Sequence, residues 1–233
     1  MRNERKLGVI LSFAAQAVSI IVGLAYSPVM IRILGQNEYG LYQLVQSVVN
    51  YLNLMNFGFS GAYIRYYAQA SAKEDEREIA NVNGMFMKIF LFISVLALLA
   101  GAVLLMNIHL LGNQLTESDY ATARQLLIIM VINMAISFPG NLFSAFVLAN
   151  ERFIYHKTLA IVFNLFVPLF NLPVLLLGYG SVGIVSVTLF LSVLRTGFNL
   201  WYCFRKLHMK INMAYSDRAI LLDLFSFTFF IFL

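Results

Sequence analysis

The chain has 233 residues, of which 61% are hydrophobic and only 12% charged, and its mean hydropathy is +0.79; usage this apolar excludes an ordinary soluble domain. The net charge of +5 sits mostly beside apolar runs, where membrane topology and anionic headgroups account for it, so it does not indicate nucleic acid. The single cysteine, Cys203, excludes an internal disulfide, and with no Cys or His near it in sequence it marks no metal site.

Residues 1–17 have the basic start, short apolar core and Ala15-Gln16-Ala17 of a secretory signal. The apolar run continues to Leu34, however, and cleavage would open the chain inside a membrane span, so the run is read as a retained first span. Five more runs follow, giving spans near 7–34, 41–70, 84–107, 120–150, 153–177 and 182–204. Each exceeds the ~20 residues that cross ~30 Å of hydrocarbon as a helix. Each carries isolated polar residues rather than the polar face of a soluble helix. The expected fold is all-α, a polytopic membrane bundle of six transmembrane helices.

The connectors alternate. Residues 35–40, 108–119 and 178–181 lack Lys and Arg. Residues 71–83 hold Lys73 and Arg77, the turn before 153 holds Arg152, and Arg205, Lys206, Lys210 and Arg218 follow the sixth run. Basic connectors stay in the cytoplasm, so the expectation is an inner (cytoplasmic) membrane protein with its amino terminus inside. His109, His156 and His208 are expected to be solvated loop histidines.

After the connector 205–218, Ile220, Leu221, Leu224 and Phe225 share one helical face, the pattern of a helix lying in the interface before it enters the bilayer. Residues 219–233 are apolar but too few to span. The expected organisation is a six-helix lobe (1–204), a cytoplasmic connector (205–218) and the start of a truncated seventh helix (219–233). On this reading the chain is a fragment or a truncated gene product.

Polar side chains inside spans face other helices or a wet cavity. Gln43, Gln46, Asn50 and Asn53 form one stripe on the second span; Ser12, Gln16, Ser19 and Gly23 form another on the first. The fourth span carries Asn133, Ser137, Asn141 and Ser144, and the sixth carries Thr188, Ser192, Arg195 and Asn199. On the fifth, Asn164, Pro168 and Asn171 share a face. Small and hydroxylated residues also serve as glue between membrane helices, whereas four amides in a row point to a hydrated path. Arg32 and Arg65 lie close enough to span ends to reach the interface; Arg195 lies deeper, where a guanidinium costs at least ~2.5 kcal/mol. No Asp or Glu lies deep in a span. A cavity of these helices is therefore neutral or cationic and suits a phosphate or pyrophosphate, which guanidinium binds with paired hydrogen bonds. Pro28, Pro139 and Pro168 are candidate hinges, since each removes a helix hydrogen bond.

Two patterns resemble the polysaccharide (O-antigen and related repeat-unit) flippases, relatives of the lipid II flippase and the multidrug and toxin extruders. One is Arg32-Ile-Leu-Gly35 followed by Tyr39-Gly40-Leu-Tyr42. The other is Asn56-Phe-Gly58-Phe-Ser60-Gly-Ala62 leading to Arg65 and Ala68. The family usually has an acid where Asn56 stands. The resemblance implies one lobe of a two-lobe transporter that moves an undecaprenyl-diphosphate-linked oligosaccharide for surface polysaccharide, including lipopolysaccharide, synthesis. It implies that Arg32 and Arg65 attract the pyrophosphate and that the amide stripe of the second span meets sugar hydroxyls. The implied partners are the lipid-linked oligosaccharide, the bilayer, and polysaccharide polymerase or glycosyltransferases, with no cofactor, metal or nucleic acid.

Three alternatives stand beside this one. A cation-coupled multidrug antiporter of the same superfamily needs a cavity carboxylate, which these spans lack. A membrane enzyme of the same pathway needs a catalytic acid or base near the bilayer face and a large loop, and no connector here is long. A non-transporting remnant or scaffold fits the abrupt end.

Overall fold

A computed structural model of the chain describes residues 2–56, 58–112 and 115–215. Six α-helices form a bundle among the described residues: α1 (Arg2–Asn53), α2 (Phe59–Ala72), α3 (Glu76–Met106), α4 (Glu117–Ala149), α5 (Phe153–Leu176) and α6 (Gly180–Arg205). Among the described residues there is no strand, and five of the helices, all but α2, are long and apolar enough to cross a membrane. The predicted seventh-helix start, 219–233, lies outside the described residues.

The first two predicted spans divide differently from the expectation. An unbroken α1 would rise about 78 Å, more than twice the hydrocarbon thickness. It is interrupted at Gly35, whose φ of 78° and ψ of 166° are open to glycine and strained for other residues. The limb before Gly35 is peripheral, with Phe13, Ile21 and Leu24 exposed. Met30 near its end packs with Leu175 of α5 and Ile184 of α6. The limb after Gly35 turns Leu41, Val45 and Val49 into the main core. The predicted second span then breaks again: residues 54–56 form a 3₁₀ turn and Gly58 is left-handed before α2 begins. Pro28, Pro139, Pro168 and Pro173, by contrast, all lie inside continuous helix.

Helix starts follow local chemistry. Thr116 and Asp119 form a capping box at α4, and Asp75 accepts from the Arg77 backbone N–H at α3, each satisfying donors that the first turn leaves open. Gly180–Ser181 at α6 has no such local cap. Instead Glu38, on α1, accepts from the Ser181 N–H (2.6 Å) and Oγ–H (2.7 Å), placing a carboxylate at the positive end of the helix. This contact holds α1 just past its break against the α5–α6 turn.

The core runs through α2, α3 and α4, with Phe59, Tyr63, Phe86, Phe90 and Phe138 fully buried. α4 and α6 run parallel and close together: a Cβ on Gly140 would stand 2.9 Å from Thr196 Oγ1, and Cys203 Sγ–H donates to the Phe143 carbonyl. The connector after α6 folds back onto α3. Asn212 N–H donates to the Ala80 carbonyl, Asn83 Nδ2 to the Lys210 carbonyl and Lys88 Nζ to the Tyr215 carbonyl.

Candidate functional site

The parallel α4–α6 contact brings two predicted stripes together. Asn133, Ser137, Asn141 and Ser144 of α4 face Thr188, Ser192, Arg195 and Asn199 of α6, and the second limb of α1 closes one side. Two cavities lie along this seam, and Ser137 lines both. The first, about 110 Å³, is bounded by Tyr42, Gln46 and Asn53 of α1, Asn133 and Ser137 of α4, and Thr188 of α6. The second, about 130 Å³, is bounded by Ser137, Asn141 and Ser144 of α4 and Ser192, Arg195 and Asn199 of α6. Each has room for several waters or a small anion, not for a sugar chain.

The seam carries unused hydrogen-bonding capacity. Asn133 Oδ1 and Asn199 Oδ1 are buried and find no partner in the protein, an arrangement that costs about 1–3 kcal/mol per group. Arg195 is half-buried, and among the described residues no carboxylate pairs with it. Glu38 lies one helical turn from Tyr42 but is committed to Ser181. The seam therefore joins amides, hydroxyls and one guanidinium with no carboxylate on its walls.

The remaining predicted residues scatter. Of the second-span stripe, Gln46 and Asn53 reach the seam, while exposed Gln43 donates to Tyr39 Oη and Gln46 Nε2 to Asn50 Oδ1 along their own helix. Gln16 is exposed on the outer limb, and Asn164 is half-buried on α5 outside both cavities. Arg32 and Arg65 are exposed and line neither cavity. They lie toward opposite ends of the bundle: Arg32 three residues before Gly35, and Arg65 two residues before Tyr67, which donates to Asn150 at the end of α4. Pro139 precedes Gly140 at the α4–α6 contact, whereas Pro28 and Pro168 lie away from it.

Three participants fall outside the stripes read from the sequence, and one of them, Thr196, lines the second cavity. Tyr42 lines the first cavity. His156 is half-buried on α5, with Nε2 2.9 Å from Ser144 Oγ, which corrects its reading as a solvated loop residue. A larger cavity of about 400 Å³ lies at the α4–α5 turn beside Arg152 and Tyr202. It is separate from the seam and mostly apolar.

The described residues thus define a multi-pass membrane helical bundle with a polar seam between its helices. Two solved structures share the fold. One is an outward-facing multidrug resistance MATE family transporter of the MOP superfamily, at 15% identity and a TM-score of 0.65, covering 93% of this chain and 49% of that one. The other is a proline-to-alanine mutant of a MATE protein, at 16% identity and a TM-score of 0.63, covering 92% and 50%. The chain thus spans about half the length of the structures it matches. No curated protein matches it. The family model described as "Polysaccharide biosynthesis protein" matches residues 6–233. The chain belongs to that family.

Proposed function

We propose that the protein acts in moving an undecaprenyl-diphosphate-linked oligosaccharide across the cytoplasmic membrane, as part of a flippase for surface polysaccharide synthesis. The observation that carries this reading is the seam around Arg195, a half-buried guanidinium among amides and hydroxyls with no carboxylate on the walls. Guanidinium matches phosphate oxygens in geometry and charge, and amides and hydroxyls match sugar. Membership in the polysaccharide biosynthesis family supports the sugar part. The proposal includes the inner membrane, a cytoplasmic amino terminus, and polymerase or glycosyltransferases as partners in the pathway. Arg65, at the end of the bundle beside the basic connectors, acts on the pyrophosphate on arrival and Arg32, at the opposite end, on departure, rather than in one site with Arg195.

The likeness to multidrug transporters favours a second reading, a cation-coupled drug antiporter. Such a site needs a buried anionic partner for the cation, and the seam has none.

Gene deletion tests the proposal. The expected outcome is loss of surface polysaccharide with build-up of the lipid-linked intermediate, restored by the intact gene. Unchanged polysaccharide with no accumulated intermediate overturns it.

A further inference from the structure

The cavity around Arg195 has a neighbour outside the polar stripes. His156 sits four residues into α5, and Ser144, which meets its Nε2, lines the same cavity as Arg195. The other ring nitrogen, Nδ1, is buried with no hydrogen-bond partner in the protein. Arg195 lines that cavity from α6, and Lys157 follows the ring in α5. From α4 it meets the uncharged Ser144. One hydroxyl therefore joins a titratable ring to the wall of a cationic cavity.

A proton on the ring would add a second positive charge beside a cavity that already holds the Arg195 guanidinium and, among the described residues, no carboxylate. An anion on Arg195 offsets the guanidinium's charge and adds its own attraction for a protonated ring. Protonation turns both ring nitrogens into donors, with Ser144 Oγ in place to accept from Nε2.

We propose that His156 takes up a proton from water when a phosphate-bearing anion binds at Arg195, so that this site loads anion and proton together. The inference rests on the anion-site reading of Arg195 given above. Linkage makes the effect reciprocal: whatever raises the ring's affinity for a proton also raises the protonated site's affinity for the anion. Anion binding is then favoured below the ring's midpoint in the complex, and the added affinity is lost as pH rises through it.

The test is a histidine titration of the protein in lipid nanodiscs, with inorganic pyrophosphate as the probe. Substituting the two exposed histidines, as His109→Gln and His208→Asn, leaves His156 as the one histidine signal in ¹³C-labelled protein. Its midpoint is read between about pH 3 and 8, with and without saturating pyrophosphate. The expected result is a midpoint about one pH unit higher with pyrophosphate, equivalent to about tenfold tighter binding to the protonated site. Equal midpoints with pyrophosphate bound overturn the inference and leave the anion site standing. If pyrophosphate does not bind, or binds an Arg195→Gln protein equally well, the anion-site reading falls and takes the inference with it.

Discussion

Asn83 and Arg195 are both polar groups within a largely apolar bundle, and their surroundings give them opposite roles. Asn83 is fully buried, accepts from Tyr63 Oη–H at 2.6 Å and donates to the Lys210 carbonyl at 2.8 Å. Asn83→Ala would strand both partners, at about 1–3 kcal/mol each, and is expected to lower the thermal midpoint in detergent clearly. Asn50→Ala, at an exposed position, is expected to shift stability by no more than about 0.5 kcal/mol. Equal midpoints for the two variants would remove Asn83 from the framework. Arg195 behaves differently because no described carboxylate depends on it. Arg195→Ala is expected to leave the folded protein as stable as the parent while export falls, with Arg195→Lys, which keeps the charge but loses the fork, retaining part. Full export by the alanine variant would assign Arg195 to lipid contact.

At the scale of helices, the breaks occur at glycines and the prolines lie within continuous helix. Gly35→Ala places a side chain at φ 78°, at a cost of about 1–3 kcal/mol, so it is expected to destabilise, whereas Pro28→Ala is not. Thermal unfolding of the two variants side by side checks the ordering. Glu38→Ala removes the cap on α6 and is expected to cost about 0.5–2 kcal/mol. Glu38→Gln, which keeps an accepting oxygen, should cost less. Retained stability in Glu38→Ala would show that Ser181 finds another acceptor.

The contrast explains what the sequence could reveal at this scale. The stripes of α4 and α6 were legible because steps of three and four mark one face of a helix, and those two faces meet. The stripe of the second span was only half informative. Gln46 and Asn53 reach the seam, but an amide can equally bond along its own helix, as Gln43 does with Tyr39. The breaks were not legible, because a proline inside a membrane helix is tolerated when its neighbours compensate. A glycine's positive φ leaves no mark on hydropathy. Neither was the Glu38–Ser181 contact, whose partners lie 143 positions apart, nor that of Ser144 with His156, since periodicity reports faces and not which faces meet.

For the molecule as a whole, the least expected feature is the segment after α6. Predicted as a polar connector, it is tied to α3 at successive heights: Lys210 to Glu76, Asn212 to Ala80 and Asn81, and Tyr215 to Lys88. Glu76 to Lys88 is about 18 Å of helical rise, bridged by residues 210–215 with lysine side chains at both ends of the reach. Gly84 makes room for it, since a Cβ there would overlap the Asn212 carbonyl. Gly84→Val is therefore expected to release the segment. Met209, 5% exposed, offers the readout: a cysteine introduced as Met209→Cys should resist thiol reagents in the parent and react in the Gly84→Val background. Resistance in both would show that the docking survives. Each of these attachments is weak alone, but all belong to one short stretch of chain, so making the first raises the effective concentration of the next. The result is avidity within a single polypeptide: α3 and the end of α6 hold or part as a unit, and a force that separates them meets a threshold in place of a gradual give.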